Sequence, residues 1–145
     1  MRISQVFVLP PDFDRLRAEA AAEGFNHIET LWSEWENGSN RFERPGERLM
    51  AAWIDDQLAG IGGITEDFAT PGGLRMRRFY VRQIYRRRGV AGAIARAVLD
   101  AARPLGRPIV LYTDTDGGAA FWQAMGFLRA AREMVTHVLG TRDGH

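Results

Sequence analysis

Between Leu74 and Thr113 the hydrophobic period changes twice, and this restricts the possible folds more than any other feature. Leu74 to Arg82 alternates. The alternation assigns Leu74, Met76, Arg78 and Tyr80 to one side and Arg75, Arg77, Phe79 and Val81 to the other, which predicts a strand. From Gly89 to about Ala102 the period becomes helical, with Ala91, Ile94, Ala95, Val98 and Ala102 on one face. Pro104 and Gly106 end that helix, and Ile109 to Thr113 predicts another strand. Two strands joined through a helix require a crossover, and therefore a parallel pair.

The flanking segments add antiparallel hairpins. Arg48 to Ile54 and Leu58 to Thr65 read as strands around an Asp55-Asp56 turn. Thr70-Pro71-Gly72-Gly73 reads as a turn. Gly118 to Met125 reads as a short helix closed by Gly126, followed by strands at Phe127 to Ala131 and Met134 to Leu139. At the N-terminus, Ile3 to Val8 predicts a strand. Pro11 opens a helix to about Glu23, stopped by Gly24. Asn26 reads as the N-cap of a second helix ending at Asn37-Gly38, and residues 39 to 47 read as loop. The sum is one α/β (α+β) domain over residues 1–145, a mixed central sheet with helices on both faces.

A chain of 145 residues is long enough to bury a real core. No apolar run approaches the ~20 residues of a membrane span, so no membrane partner is expected. With no cysteine, disulfides and thiolate metal sites are excluded, and a cytoplasmic protein is the simplest reading. Three histidines without paired spacing indicate no metal. All 19 basic residues are arginine, and the net charge is +1. The distribution is uneven: residues 75 to 88 hold seven arginines and no acid.

The stretch from Phe79 to Gly92 carries the chemistry. A strand ends, a short loop follows, and a glycine-bearing helix begins. The first turn of a helix offers free N–H groups and the positive end of the dipole. Small residues there let a diphosphate approach the backbone. Arg86, Arg87 and Arg88 add planar donors for phosphate oxygens. Taken alone, the stretch reads equally well as a basic surface loop. It is neither a Walker A loop nor a G-x-G-x-x-G fingerprint.

Two motifs together resemble a known family. Arg86-x-x-Gly89-x-Ala91 resembles the Arg/Gln-x-x-Gly-x-Gly/Ala signature of GNAT N-acetyltransferases. Phe121-Trp122-x-x-x-Gly126-Phe127 is similar to that family's Phe-Tyr-x-x-x-Gly-Phe near its end. The resemblance spans about residues 48 to 139 and is weak before residue 48. It implies acetyl transfer from acetyl-CoA to a primary amine of a small molecule or peptide, by direct attack in a ternary complex. Backbone groups of Phe79, Tyr80 and Val81 would pair with the pantetheine arm, and an amide there would polarise the thioester carbonyl. The amides of Arg87, Arg88, Gly89, Val90, Ala91 and Gly92 would hold the pyrophosphate. Thr115 stands where the family often has a cofactor-touching asparagine, and Trp122 where it often has a tyrosine. Homodimers through the C-terminal strands are also implied.

The proton-transfer residues depart from the family pattern. An indole N–H is no acid at useful pH, so Trp122 cannot protonate the departing thiolate; it reads equally as core packing. Tyr80, Tyr85, Tyr112 or water remain as proton sources, with Tyr112 the candidate acid. The strand Leu74 to Arg82 holds no carboxylate. Glu66 is the candidate base by proximity, with Asp67 beside it; a solvated turn is the plain alternative for both. His27 is open to the same plain reading, and His137, in a terminal strand, reads as structural. On the second helix Trp32 and Glu29 are candidate acceptor contacts, though Trp32 and Trp35 share a face that also suits a core.

Two rival readings stand beside this one. A non-catalytic acyl-CoA sensor would explain Trp122 and the missing carboxylate. A nucleic-acid-binding module would use the arginine cluster. Near-zero net charge opposes the latter, as does strand alternation that separates Arg75 and Arg77 from Arg78 and Arg82.

Overall fold

The structure, a computed structural model, describes residues 1–140. The last five residues of the expected domain, 141–145, lie outside the described residues. Seven strands form one sheet in the order β1-β2-β3-β4-β5-β7-β6. They are β1 (Arg2–Gln5), β2 (Arg48–Ile54), β3 (Gln57–Asp67), β4 (Gly73–Val81), β5 (Ile109–Leu111), β6 (Phe127–Arg132) and β7 (Val135–Leu139). Four helices accompany them: α1 (Phe13–Ala22), α2 (His27–Asn37), α3 (Val90–Ala102) and α4 (Asp116–Ala124).

The expected crossover is present: β4 and β5 are parallel, with α3 between them in sequence. The other strand pairs are antiparallel. The β2–β3 hairpin turns through Asp55 and Asp56, both at positive φ (49° and 62°), the handedness that suits the twist of a two-residue loop. Helices cover both faces. Phe13, Leu16 and Ala20 of α1 and Ile28, Leu31 and Trp35 of α2 bury against Leu49, Ala51, Leu58 and Ile61. On the other face Val90, Ile94, Val98 and Leu99 of α3, with Trp122 of α4, bury against Met50, Ala59, Leu74 and Met76.

Local boundaries differ from expectation for physical reasons. β1 ends at Gln5, and the apolar Phe7 and Val8 that suggested a longer strand are exposed. Asn26 has helical backbone and makes no side-chain cap; its carbonyl instead accepts from Thr30. α1 begins at Phe13, two residues past Pro11, where the Phe13 N–H donates to the Pro10 carbonyl.

The larger correction concerns β4. Ile61 opposes Tyr80 but Gly63 opposes Arg77, so two steps on β3 face three on β4. The extra residue is Arg78, at φ +65°. This is a β-bulge, and it reverses the side-chain alternation after it. Phe79 and Val81 therefore join Leu74 and Met76 on the α3 face, while Tyr80 packs among α1 and α2. Gly62 makes the bulge possible. A Cβ there would lie 2.5 Å from the Phe79 ring.

Candidate active site

The turn before α3 leaves its helix start uncapped and open. Gly89 sits at the N-cap with φ +75°, and no side chain caps the helix. The first N–H to reach back is that of Ala93, to the Gly89 carbonyl at 3.0 Å. The amides of Val90, Ala91 and Gly92 precede it and have no intrahelical acceptor, as the geometry of any helix start requires. A Cβ on Gly89 would meet nothing within 4 Å, so the approach is open. Arg87 and Arg88 are exposed beside it.

Arg86 plays another part than the expected phosphate donor. Its guanidinium is held by Glu23 of α1 through bonds of 2.9 and 2.6 Å, and its Nε donates to the Val81 carbonyl at 2.9 Å. Glu23 also accepts from the Tyr80 hydroxyl and from the Gln83 amide nitrogen. The Arg86 hydrogen bonds, more than any other cause, pull the Glu23 carboxyl down to about 2. Burial, then the hydrogen bonds to Glu23 and to Glu19 of α1, push the Tyr80 hydroxyl well above its ordinary range. Tyr80 is thus no proton source. Arg86 instead ties the loop that precedes α3 to α1.

Between β4 and β5 lies a cleft of about 560 Å³. β4 and β5 pair only at Leu74↔Ile109 and Arg75↔Val110. Beyond those pairs no ladder joins them, and the cleft occupies the gap, closed at its sides by the α1–α2 connection and α4. Phe79, Tyr112, Thr115 and Trp122 all line it. Tyr112 is half exposed. Tyr85 is instead buried in the core against α3. Thr115 is the N-cap of α4, and its hydroxyl accepts from the Gly118 N–H at 3.0 Å. Trp122 meets Phe79, Phe121 and Phe127 edge-on, with centroids 4.9, 4.8 and 5.4 Å away. It packs the core and lines the cleft at once.

Several expected residues lie elsewhere. Glu66 is not in the cleft. It sits in a separate hollow 3.9 Å from Arg107, and its N–H donates to Glu47. Asp67 is buried and paired with Arg75 at 3.3 Å. Burial alone would raise its carboxyl, but hydrogen bonds from Thr70 and Arg75 hold it low. Glu29 is exposed and bound to Arg17 at 2.6 and 2.7 Å, and the Arg17 guanidinium covers the Trp32 ring at 3.6 Å. Neither Glu29 nor Trp32 lines the cleft. His137 is buried, hydrogen-bonded to Gln123 and Thr136, in a structural role.

His27 is the functional candidate that sequence reasoning passed over. It is the first residue of α2 and lines the cleft. Its Nε2 lies 2.8 Å from the Phe79 carbonyl. A carbonyl only accepts, so the proton is on Nε2 and Nδ1 carries the free lone pair. Burial, against the opposing effect of that bond, lowers its pKa below the usual 6.5. The ring is therefore neutral at physiological pH, with Nε2–H turned to Phe79 and its lone pair on Nδ1. Only the fold brings residue 27 to residue 79.

The profile of the acetyltransferase (GNAT) family matches residues 13–127. The chain belongs to the GNAT acetyltransferase family. The match includes both early helices, where the sequence resemblance was weak. A putative acetyltransferase from Exiguobacterium sp. 255-15 superposes with a TM-score of 0.82 at 26% identity, over 96% of this chain and 93% of that one. A putative GNAT acetyltransferase from Desulfovibrio desulfuricans gives 0.70 at 18% identity, over 95% and 97%. Ard1 from Thermoplasma volcanium gives 0.65 at 17% identity, over 95% of each chain. No curated protein matches the chain in sequence. As a GNAT domain the chain is an acyltransferase, of a family whose donor is an acyl-CoA thioester. Among the described residues no helix is long and apolar enough to cross a membrane.

Proposed function

We propose that this GNAT domain transfers the acetyl group of acetyl-CoA to a primary amine by direct attack in a ternary complex. The observation that carries the reading is the uncapped start of α3, with Gly89 open to solvent, next to strands that separate after two residue pairs. The amides of Val90, Ala91 and Gly92 suit a pyrophosphate, and Arg87 and Arg88 add charge. The edge of β4 away from β3, which no strand pairs from Phe79 to Val81, suits the pantetheine arm, although Arg86 already occupies the Val81 carbonyl. The Phe79 carbonyl has a second lone pair beside the one His27 occupies.

The chemistry then needs two proton transfers. A primary amine is mostly ammonium at neutral pH, so it must lose a proton before its nitrogen can attack the thioester carbon. Neutral His27 takes that proton on Nδ1. The carbon–sulfur bond breaks, and the sulfur leaves as a thiolate. A thiol of pKa ~8.5 departs with little help; as the adduct collapses its nitrogen sheds its second proton, which passes through Tyr112 at the cleft, or water, to the thiolate. Most of the rate comes from positioning and from polarisation of the thioester carbonyl by a β4 amide.

The test is thiol release from acetyl-CoA with a panel of primary amines. The reading predicts amine-dependent release. Saturable binding of acetyl-CoA with no release across the panel would support the non-catalytic sensor instead.

A further inference from the structure

The bulge at Arg78 has a second effect, on charge. Arg75, Arg77 and Arg78 all line the cleft. Arg75 is compensated: its Nε reaches Asp67 and its Nη1 donates to the Met134 carbonyl at 2.7 Å. Arg78 is partly compensated by Glu34 of α2 at 3.3 Å, while its own Nε is buried without a partner. Arg77 has no ion pair among the described residues, and its Nε is also buried without a partner. Burial, followed by the nearby Arg78 and Arg75 cations, works against its charged form. A guanidinium does not lose its proton at neutral pH, so an anion in the cleft is the partner that would compensate it best. Among the described residues the one acid lining the cleft, Asp114, is exposed.

The anion in question is not the donor's pyrophosphate. Arg77 lies four residues before the end of β4, roughly 13 Å along the strand from Val81, and the α3 turn is farther still. It lies about two residues, roughly 6–7 Å, from Phe79 and the His27 contact. His27 and Arg77 line the same cleft, so one small molecule can present an amine at the His27 end and an oxyanion at the Arg77 end.

We infer that the acceptor is an amine bearing an oxyanion, a carboxylate or a phosphate, seated on the guanidinium forks of Arg77 and Arg78. Planar forks suit both groups. A cationic cleft disfavours polyamines and other polycationic acceptors. The inference rests on the proposed acetyl transfer for its setting but not for its test.

The test uses the full chain with CoA bound and matched probes: α-, β- and γ-aminocarboxylates, their primary amides, and aminoalkyl phosphates. Binding is read by thermal shift and calorimetry, and turnover by thiol release from acetyl-CoA. At least one acid or phosphate should bind about tenfold or more tighter than its uncharged partner. Comparison of the two anionic series separates carboxylate from phosphate. Arg77→Gln should erase that preference through KM, leave acetyl-CoA affinity unchanged, and keep or raise the melting temperature, because a buried charge is removed. Arg77→Lys should restore part of the preference. Binding without turnover would defeat the catalytic reading and leave this one standing. Equal binding of acid and amide, no binding by any probe, or a preference that survives Arg77→Gln would overturn it.

Discussion

Replacing Glu23 with Gln tests whether the cofactor turn is held in place from α1. Glu23 binds Arg86, Tyr80 and Gln83 at once, and Arg86 in turn binds the Val81 carbonyl. The carboxyl titrates near 2 instead of 4.5. At about 1.4 kcal/mol per pKa unit, that difference sets an upper limit of roughly 3 kcal/mol. The carboxylate is 19% exposed and Arg86 38%, so solvent screening reduces the contribution to about 1–2 kcal/mol. The sign follows from the direction. A depressed carboxyl stabilises the fold above its unfolded pKa, and the contribution fades as pH falls from about 4.5 towards 2. Glu23→Gln should therefore lower the melting temperature at pH 7 by roughly 3–8 °C. The gap to the unsubstituted protein should narrow steadily below pH 4.5. Acetyl-CoA affinity should fall only a few-fold, since the helix amides remain. Urea titrations across pH, paired with calorimetry, measure both effects. Equal stability at pH 7, or a gap independent of pH down to 3, would refute the reasoning.

Three further outcomes are expected. Gly89→Glu should abolish acetyl-CoA binding by setting a carboxylate against the pyrophosphate site, whereas Gly89→Ala, free of clashes but at φ +75°, should lower stability by about 1 kcal/mol; calorimetry and thermal melts distinguish the two. His27→Gln keeps a donor for the Phe79 carbonyl but no base, so kcat at neutral pH should fall about a hundredfold. The acidic limb of the pH–rate profile, which should lie below 6.5 because burial lowers this histidine, should vanish with it. Trp122→Phe should lower kcat by less than about tenfold, since the indole acts by packing; steady-state kinetics on a variant with native circular dichroism checks this.

The legible parts of the fold were those with local causes. The Asp55-Asp56 turn, the period change from β4 to α3 and the terminal hairpin are all written in short windows. The start of α3 was legible for the same reason, because glycine at an N-cap is a local signal. The bulge was not. An arginine at positive φ has no sequence signature, and one inserted residue reverses each assignment of facing beyond it. That reversal corrects the argument that alternation separates Arg75 and Arg77 from Arg78, for all three line one cleft. Arg86 looked like a phosphate ligand because its partner, Glu23, lies 63 residues away. Glu66 looked near the chemistry because proximity was counted along the chain, while the sheet carries it to a different hollow. His27 needed both the bulge and the α1–α2 connection before it had any role.

In the proposed complex, main-chain N–H groups at the start of α3 grip the donor while the β4 edge receives its arm. Following backbone amide resonances during a CoA titration tests it most directly. The largest shifts should fall at Val90, Ala91 and Gly92, with a second group at Phe79 to Val81, all saturating together. Saturable binding that leaves the amides of Val90 to Gly92 unmoved would place the pyrophosphate elsewhere and overturn the proposed donor site.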